Sequence, residues 1–279
     1  MSSSAGREVR VTIVACLKWV SHPGEPQDER FAGMSPADQS ALEFALQQGE
    51  RLGVGVTAIT VGPSGADKVL RDALACGAHR AIRVEAPTTT AGTDIATAIA
   101  DHIADAQWVW CGDYSLDRGA GSVPPFIAAH LGAEQALGVI HVEMTDATVR
   151  ATRRLDGGRR EVLDMQAPAV VSVEGATARL RRAGLQALRR ASEAPIDVVP
   201  ATTPIHRAEF MVRPYRPRAR ELPAPAGDAP LDRLRALTDA AAASAARGEM
   251  VTLSPADAAA RIVQALRDWG YLTTDARGG

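Results

Sequence analysis

The sequence predicts an α/β fold, a doubly wound and mostly parallel sheet with helices on both faces. Two observations carry this expectation. Short apolar runs rich in β-branched residues alternate with helical stretches of about a dozen residues through the first 130 positions, the signature of strand–helix–strand crossovers. The first run, Val9 to Leu17, is also apolar almost throughout instead of alternating, as a strand buried on both faces is.

The elements follow in order. After Val9 to Leu17 comes an irregular stretch, "SHPGEPQDERFAGM". Ser35-Pro36-Ala37-Asp38 then supplies an N-cap hydroxyl, a proline at the first helical position and an early carboxylate, and Leu42, Ala45, Leu46 and Leu52 give that helix one buried face. Val54 to Val61 is the second strand, closed by Gly62-Pro63. A helical stripe of Val69, Leu70, Ala73 and Leu74 ends at Gly77, and His79 to Glu85 is the third strand. Thr93 to Ala104 reads as a helix, and "QWVWCG" as a fourth strand that runs into "DYSLDRGAGSVPPFIAAHLG", a small-residue loop opening a helix.

After Gly132 the pattern changes. "GVIHVEM", "ATVRATRRL" and "REVLDM" are strand-like, and Asp156-Gly157-Gly158 is a strong hairpin signal between the last two. An antiparallel hairpin extension is therefore expected beside the parallel core, followed by one more buried strand, "PAVVSVE". Residues 175–199 lose periodicity and read as an exposed loop or short helix. Ala201 to Pro230, rich in proline, arginine and alanine, reads as an extended arm. Two helices finish the chain, Leu231 to Ala246 and one opened by Ser254-Pro255-Ala256-Asp257, with Ile262, Val263, Leu266 and Trp269 on one side. The expected division is a nucleotide-binding α/β domain over 1–200 and a C-terminal arm with two helices over 201–279.

Composition removes several classes of function. A net charge of −2 gives no footprint for nucleic acid, and the initial apolar run of about nine residues is too short to enter a membrane as a span. The expectation is a cytoplasmic protein with no nucleic-acid partner and no membrane insertion. Cys16, Cys76 and Cys111 lie singly in apolar contexts and read as buried free thiols. The six histidines are dispersed, which suits surface or structural roles, and no metal site is expected. Nucleotide-binding and hydrolase signatures such as G-x-x-x-x-G-K-[ST], G-x-G-x-x-G and G-x-S-x-G are absent from the sequence.

What remains is the set of loops at the carboxyl ends of the parallel strands, where open α/β sheets bind ligands. These are Cys16 to Ser21, Val61 to Pro63 and Gly112 to Val123. Gly62 allows close approach of a ligand to the backbone, and the N–H groups from Gly119 to Val123 stand at a helix N-terminus suited to a phosphate. Two readings fit these glycines: a nucleotide pocket, or tight turns alone.

At this point the sequence resembles the β subunit of electron transfer flavoprotein, the FixA-type family, from about Val9 to Val198 and more weakly at the C-terminus. Ser35-Pro36-Ala37-Asp38-Gln39 matches the family's N-P-[FL]-x-E helix start, and Ile59-Thr60-Val61-Gly62-Pro63 its V-S-x-G-P. "LRDALACGAHRAI" is similar to its LRxALAMGADRAI, and "LDGGRREVLDMQAPAVVSVE" to its hairpin and LPAVVTV strand. "AGLQALRRASEAPIDVV" resembles its LPGIMKAKKKPIE segment, which puts Leu185 at the leucine that engages partner dehydrogenases.

The resemblance implies an adenine-nucleotide-binding, HUP-like fold and one half of a heterodimer. The β subunit of this family holds AMP, or a second FAD in electron-bifurcating members, while the electron-carrying FAD is shared with an α subunit. The C-terminal arm wraps onto that α subunit. Electrons enter from a flavin dehydrogenase and leave to a quinone-linked acceptor, so the chain is expected to be an electron-carrier subunit and not a catalyst in its own right. The residues expected at the nucleotide are Cys16, Leu17, Lys18, Ser35, Val61, Gly62, Asp117, Arg118, Gly119, Ala120, Gly121, Ser122 and Val123.

The glycine loop departs from the family pattern G-K-Q-A-I-D-D-D-x-x-Q-V-G-P. Asp117 is kept, but the next two acidic positions are Arg118 and Gly119, the glutamine is Ser122, and Asp113 and Tyr114 follow the first glycine. Arg118 either pairs with a phosphate or points to solvent, and AMP, FAD or an empty pocket all stay open. These departures resemble those of a specialised actinobacterial paralogue associated with the peptide cofactor mycofactocin. A second reading is a stand-alone adenine-nucleotide sensor resembling universal stress proteins, although only Gly121-Ser122 fits that phosphate loop. A third, adenylate hydrolysis on the same superfold, lacks a catalytic constellation.

Overall fold

A computed structural model of the chain describes residues 11–21, 32–146, 148–204, 229–231, 251–269 and 271. The chain divides into two compact units, Met1–Met211 and Val212–Gly279. In chain order the first unit has β1 (Ile13–Cys16), β2 (Trp19–Val20), β3 (Gly33–Met34), α1 (Pro36–Leu52), β4 (Val56–Gly62) and α2 (Asp67–Cys76). It continues with β5 (Arg80–Glu85), α3 (Gly92–His102), β6 (Trp108–Gly112), α4 (Val123–Leu131) and β7 (Glu134–Met144). Last come β8 (Val149–Arg154), β9 (Arg160–Met165), β10 (Ala169–Val173), α5 (Leu185–Glu193) and β11 (Asp197–Pro200).

Nine of these strands form one sheet in the order β11-β5-β4-β1-β6-β10-β7-β8-β9. The pairs from β11 to β7 are parallel. The pairs β7–β8 and β8–β9 are antiparallel and form the predicted extension, with Asp156–Gly158 at its second turn. This is a doubly wound α/β fold. β2 and β3 form a separate antiparallel pair.

Burial on both faces follows from the apolar runs. Alternate residues of a strand point to opposite sides, so Ile13 and Ala15 join a core with Leu42 and Leu46 of α1 and Val69 and Leu70 of α2. Val14 and Cys16 join a second core with Ala96 and Ile99 of α3 and Ile127 and Ala128 of α4. Each fully buried Leu or Ile contributes roughly 1.5–3 kcal/mol, and through this alternation β1 takes part in both cores. Trp110 of β6 is wholly buried: its indole Nε1 donates to Gln48 Oε1 at 2.8 Å, and its ring stacks on Phe44 with centroids 5.4 Å apart. The hydrogen bond meets the indole's polar need, which lets so large a side chain sit inside.

Several boundaries differ from the sequence expectation. The segment expected as an exposed loop or short helix forms α5 and then β11, which pairs with β5 from Asp197↔Ile82 to Pro200↔Glu85. Only one of the four β11 residues is even half-buried, so an edge strand of this kind leaves little apolar signal. β2 directly precedes the irregular stretch and β3 ends it, and residues 22–31 lie outside the described residues. The arm over 205–228 and most of the helix expected over Leu231 to Ala246 also lie outside them.

Of the second unit, the described part is chiefly α6 (Pro255–Asp268). Its N-cap Ser254 accepts a hydrogen bond from the Asp257 N–H at 3.2 Å, as the capping tetrapeptide predicts. Ile262 and Trp269 are exposed.

Candidate functional site at the switch point of the sheet

β1 and β6 are neighbours with parallel pairing from Ile13↔Trp108 to Cys16↔Cys111. The chain leaves β1 toward α1, packed on one face, and leaves β6 toward α4, packed on the other. At such a point the loops diverge and open a crevice beyond the strand ends. Here the crevice is a cleft of about 720 Å³, within the usual size of a small-ligand site.

The cleft gathers Cys16, Leu17, Lys18, Val61, Gly62, Asp117, Arg118, Ala120, Gly121, Ser122 and Val123 from the expected set. Gly119 and Ser35 do not line it. Ser35 stands behind the wall: it begins α1, yet its hydroxyl makes no cap bond and instead accepts the Leu116 N–H at 3.1 Å. Leu185 does not line the cleft either. It stands on α5 with 76 % of its surface exposed, beside exposed Leu188.

The loop of residues 113–122 is held from three sides. Lys18 Nζ lies 2.6 Å from Asp117 Oδ1 and donates to Ser115 Oγ at 3.2 Å. Ser35 holds Leu116 from below. Arg118 reaches across to the loop after β5, its guanidinium donating to the Thr90 carbonyl at 2.8 Å and the Thr88 carbonyl at 2.6 Å. These bonds tie two walls of the cleft together. Gly121 closes the turn with φ +59°, and a Cβ there would stand 2.6 Å from the Asp113 carbonyl oxygen, so both conformation and space demand glycine.

Sequence reasoning treated Asp38 only as an early helical carboxylate, but it is a buried member of the site. Its Oδ2 accepts the Lys18 N–H at 2.9 Å, and a Cβ on Gly112 would lie 2.4 Å from its Oδ1. Only glycine lets the end of β6 rest on the first turn of α1. Burial pushes the Asp38 carboxyl up to about 7, against the opposing pull of the Lys18 and Gly112 N–H groups. Burial also works on Asp117, but hydrogen bonds from Lys18 and Ser115 outweigh it and hold this carboxyl below the ordinary range. Asp113 is raised by burial and by the charge of Glu174, and its Oδ1 is buried without a hydrogen-bond partner.

This arrangement suits a polar ligand with an apolar body. Ile95, Ile99 and Val61 supply apolar wall, while the backbone from Ala120 to Val123 and the first turn of α4 supply polar edge. Pro124 and Pro125 carry no N–H, so Val123 is the sole donor of the first three α4 residues. An anion here would therefore depend on the loop backbone more than on the helix. Glycine at 121 is explained by the turn itself, whereas the cleft volume and the buried Asp113 oxygen without a hydrogen-bond partner leave room and a polar acceptor for a small ligand. Among the described residues no cluster of His, Cys, Asp and Glu could hold a metal ion, and no helix is long and apolar enough to cross a membrane.

Comparison with known proteins agrees with this geometry. The family model of the electron transfer flavoprotein domain matches residues 28–204. Protein FixA of Bradyrhizobium diazoefficiens is 34% identical over 175 residues, covering 58% of this chain and 60% of that one. The electron transfer flavoprotein subunit beta of Clostridium acetobutylicum is 30% identical over 176 residues, covering 58% and 68%. That of Dictyostelium discoideum is 27% identical over 168 residues, covering 59% and 67%. The chain thus spans about three fifths of the length of the FixA relatives it matches. With the family model covering well over half of the chain and relatives of this kind, the chain belongs to the electron transfer flavoprotein domain family, on its β-subunit and FixA side.

Proposed function

We propose that the chain is the β-type subunit of a heterodimeric electron transfer flavoprotein. In this reading it helps an α subunit hold FAD and relays electrons from a flavin dehydrogenase to a quinone-linked acceptor in the cytoplasm. The carrying observation is the 720 Å³ cleft at the β1–β6 switch point of a chain in this family. An adenine nucleotide, AMP or a second FAD, would be held there by the backbone of 120–123, by Lys18 and by the apolar wall of Val61, Ile95 and Ile99. A bound FAD supplies the redox chemistry. The chain's own residues position the nucleotide and exclude water, with none acting as an acid, base or nucleophile.

Leu185 and Leu188, exposed together on α5, suit the docking of a dehydrogenase, and residues 201–279 suit a region that packs on the α partner. Co-expression with an FAD-binding α partner tests the reading, through the absorption spectrum and nucleotide content of the purified complex. One FAD and one AMP per heterodimer supports an ordinary carrier, and two FAD supports a bifurcating one. A stable homodimer that binds ATP and takes no flavoprotein partner overturns the proposal.

A further inference from the structure

We propose that Cys16 and Cys111 form a reversible disulfide across the floor of the cleft, making that floor a thiol redox site. The argument begins with register. Cys16 ends β1, Cys111 is its direct partner on β6, and the two strands run parallel. In-register neighbours on adjacent strands share a face and stand about 4.8 Å apart, inside the roughly 4.4–6.8 Å between Cα atoms that a disulfide spans. Both side chains belong to the core of the α3 and α4 face. Bridging them requires side-chain rotation and no sliding of the strands.

Access comes from the cleft. Both residues line it, with Cys16 8% exposed and Cys111 3% exposed, and both are free thiols in the structure. A hydrogen bond with Cys16, then burial, pushes the Cys111 thiol up. Cys16, the more exposed of the two, is the member better placed to meet a small oxidant. Cys76, half-buried beside the Arg181 carbonyl, stands outside the cleft and serves as an internal reference.

With hydrogen peroxide as oxidant, the Cys16 sulfur attacks one oxygen, the O–O bond breaks, and water leaves with the thiol proton. Cys16 is then a sulfenic acid. The Cys111 sulfur attacks it, the S–O bond breaks as the S–S bond forms, and the second thiol proton leaves in a second water. Two thiols and one peroxide give one disulfide and two waters. A dithiol reverses the change by exchange.

The test uses the full chain exposed to hydrogen peroxide, then denatured, alkylated and peptide-mapped. Wild type is expected to keep one alkylatable cysteine of its three and to give one dithiothreitol-sensitive Cys16–Cys111 peptide. Cys76→Ser should give the same bridge, and Cys16→Ser and Cys111→Ser should not. If Cys76 oxidises while Cys16 and Cys111 both stay alkylatable, or if Cys16 goes to sulfinic acid without a bridge, the proposal is overturned. Wild type alone decides this, so a poorly folding variant does not. A separate arm rests on the nucleotide reading: AMP at ten times its Kd should slow bridging about tenfold. Bridging at an unchanged rate counts against AMP in the cleft and leaves the thiol pair standing.

Discussion

Asp38→Asn should remove a pH dependence that wild type carries. The Asp38 carboxyl titrates near 7 in the folded protein, against 3.8 for an ordinary aspartate, so the folded state binds this proton more tightly than the unfolded one. The stability it contributes is fully present below the unfolded value and is lost as pH rises through 7. A shift of one unit is worth about 1.36 kcal/mol, and integration between about pH 5 and pH 8 gives a loss of roughly 2.6 kcal/mol specific to this carboxyl. Equilibrium unfolding in urea at several pH values, on wild type and variant, measures it. Subtraction cancels the titration of distant groups such as Asp72 and Glu43, which are also shifted. The wild-type stability should fall toward the variant's, or below it, as pH rises. Asparagine brings one carbonyl oxygen to a place where the Lys18 and Gly112 N–H groups both converge, so the variant should start about 1–3 kcal/mol lower at acid pH. Curves that stay parallel from pH 5 to pH 8 would refute the reasoning, because they would mean that Asp38 is ionised throughout.

Other consequences are measurable. Trp110→Phe keeps the stack on Phe44 but leaves Gln48 Oε1 without its buried donor, and should cost about 1–3 kcal/mol in chemical denaturation. Gly121→Ala places a methyl group 2.6 Å from the Asp113 carbonyl oxygen at φ +59°; an affinity loss of about tenfold or more for AMP is expected by calorimetry, equivalent to about 1.4 kcal/mol. Arg118→Ala cuts the bonds to Thr88 and Thr90. It should speed amide exchange in residues 87–91 and 113–122 and lower stability by about 1 kcal/mol.

The sheet was legible because burial on both faces leaves apolar runs that need no context to recognise. The walls of the cleft were legible where loops leave the carboxyl ends of the parallel strands, as at Gly62 and Gly121, and illegible where a side chain's task depended on a distant neighbour. The two Ser-Pro-Ala-Asp tetrapeptides show the difference. Ser254 caps α6 with its own hydroxyl, as local chemistry directs. Ser35, in the same local sequence, accepts with its hydroxyl the N–H of Leu116 in a loop 81 residues away, and Asp38 becomes a buried carboxyl because the Gly112 end of β6 rests on it. Arg118 presents the same lesson. Sequence offered it a phosphate or solvent, but it takes the carbonyls of Thr88 and Thr90, in a loop that no glycine or charge had marked. β11 escaped notice because a strand on the sheet's margin has little apolar surface to show.

β10 is among the last strands in the chain, yet it stands in the interior of the sheet with all five residues buried. The ribbon β7–β8–β9 is hydrogen-bonded to the rest of the sheet through β10 alone. A growing chain that has not yet emerged past residue 173 therefore carries two open strand borders, one on β6 and one on β7, each a template for wrong pairing. The ribbon can form early from near neighbours, while the parallel strands require distant ones. Insertion of this one apolar segment then closes both borders together, joining the strand at the cleft, β6, to the hairpin extension.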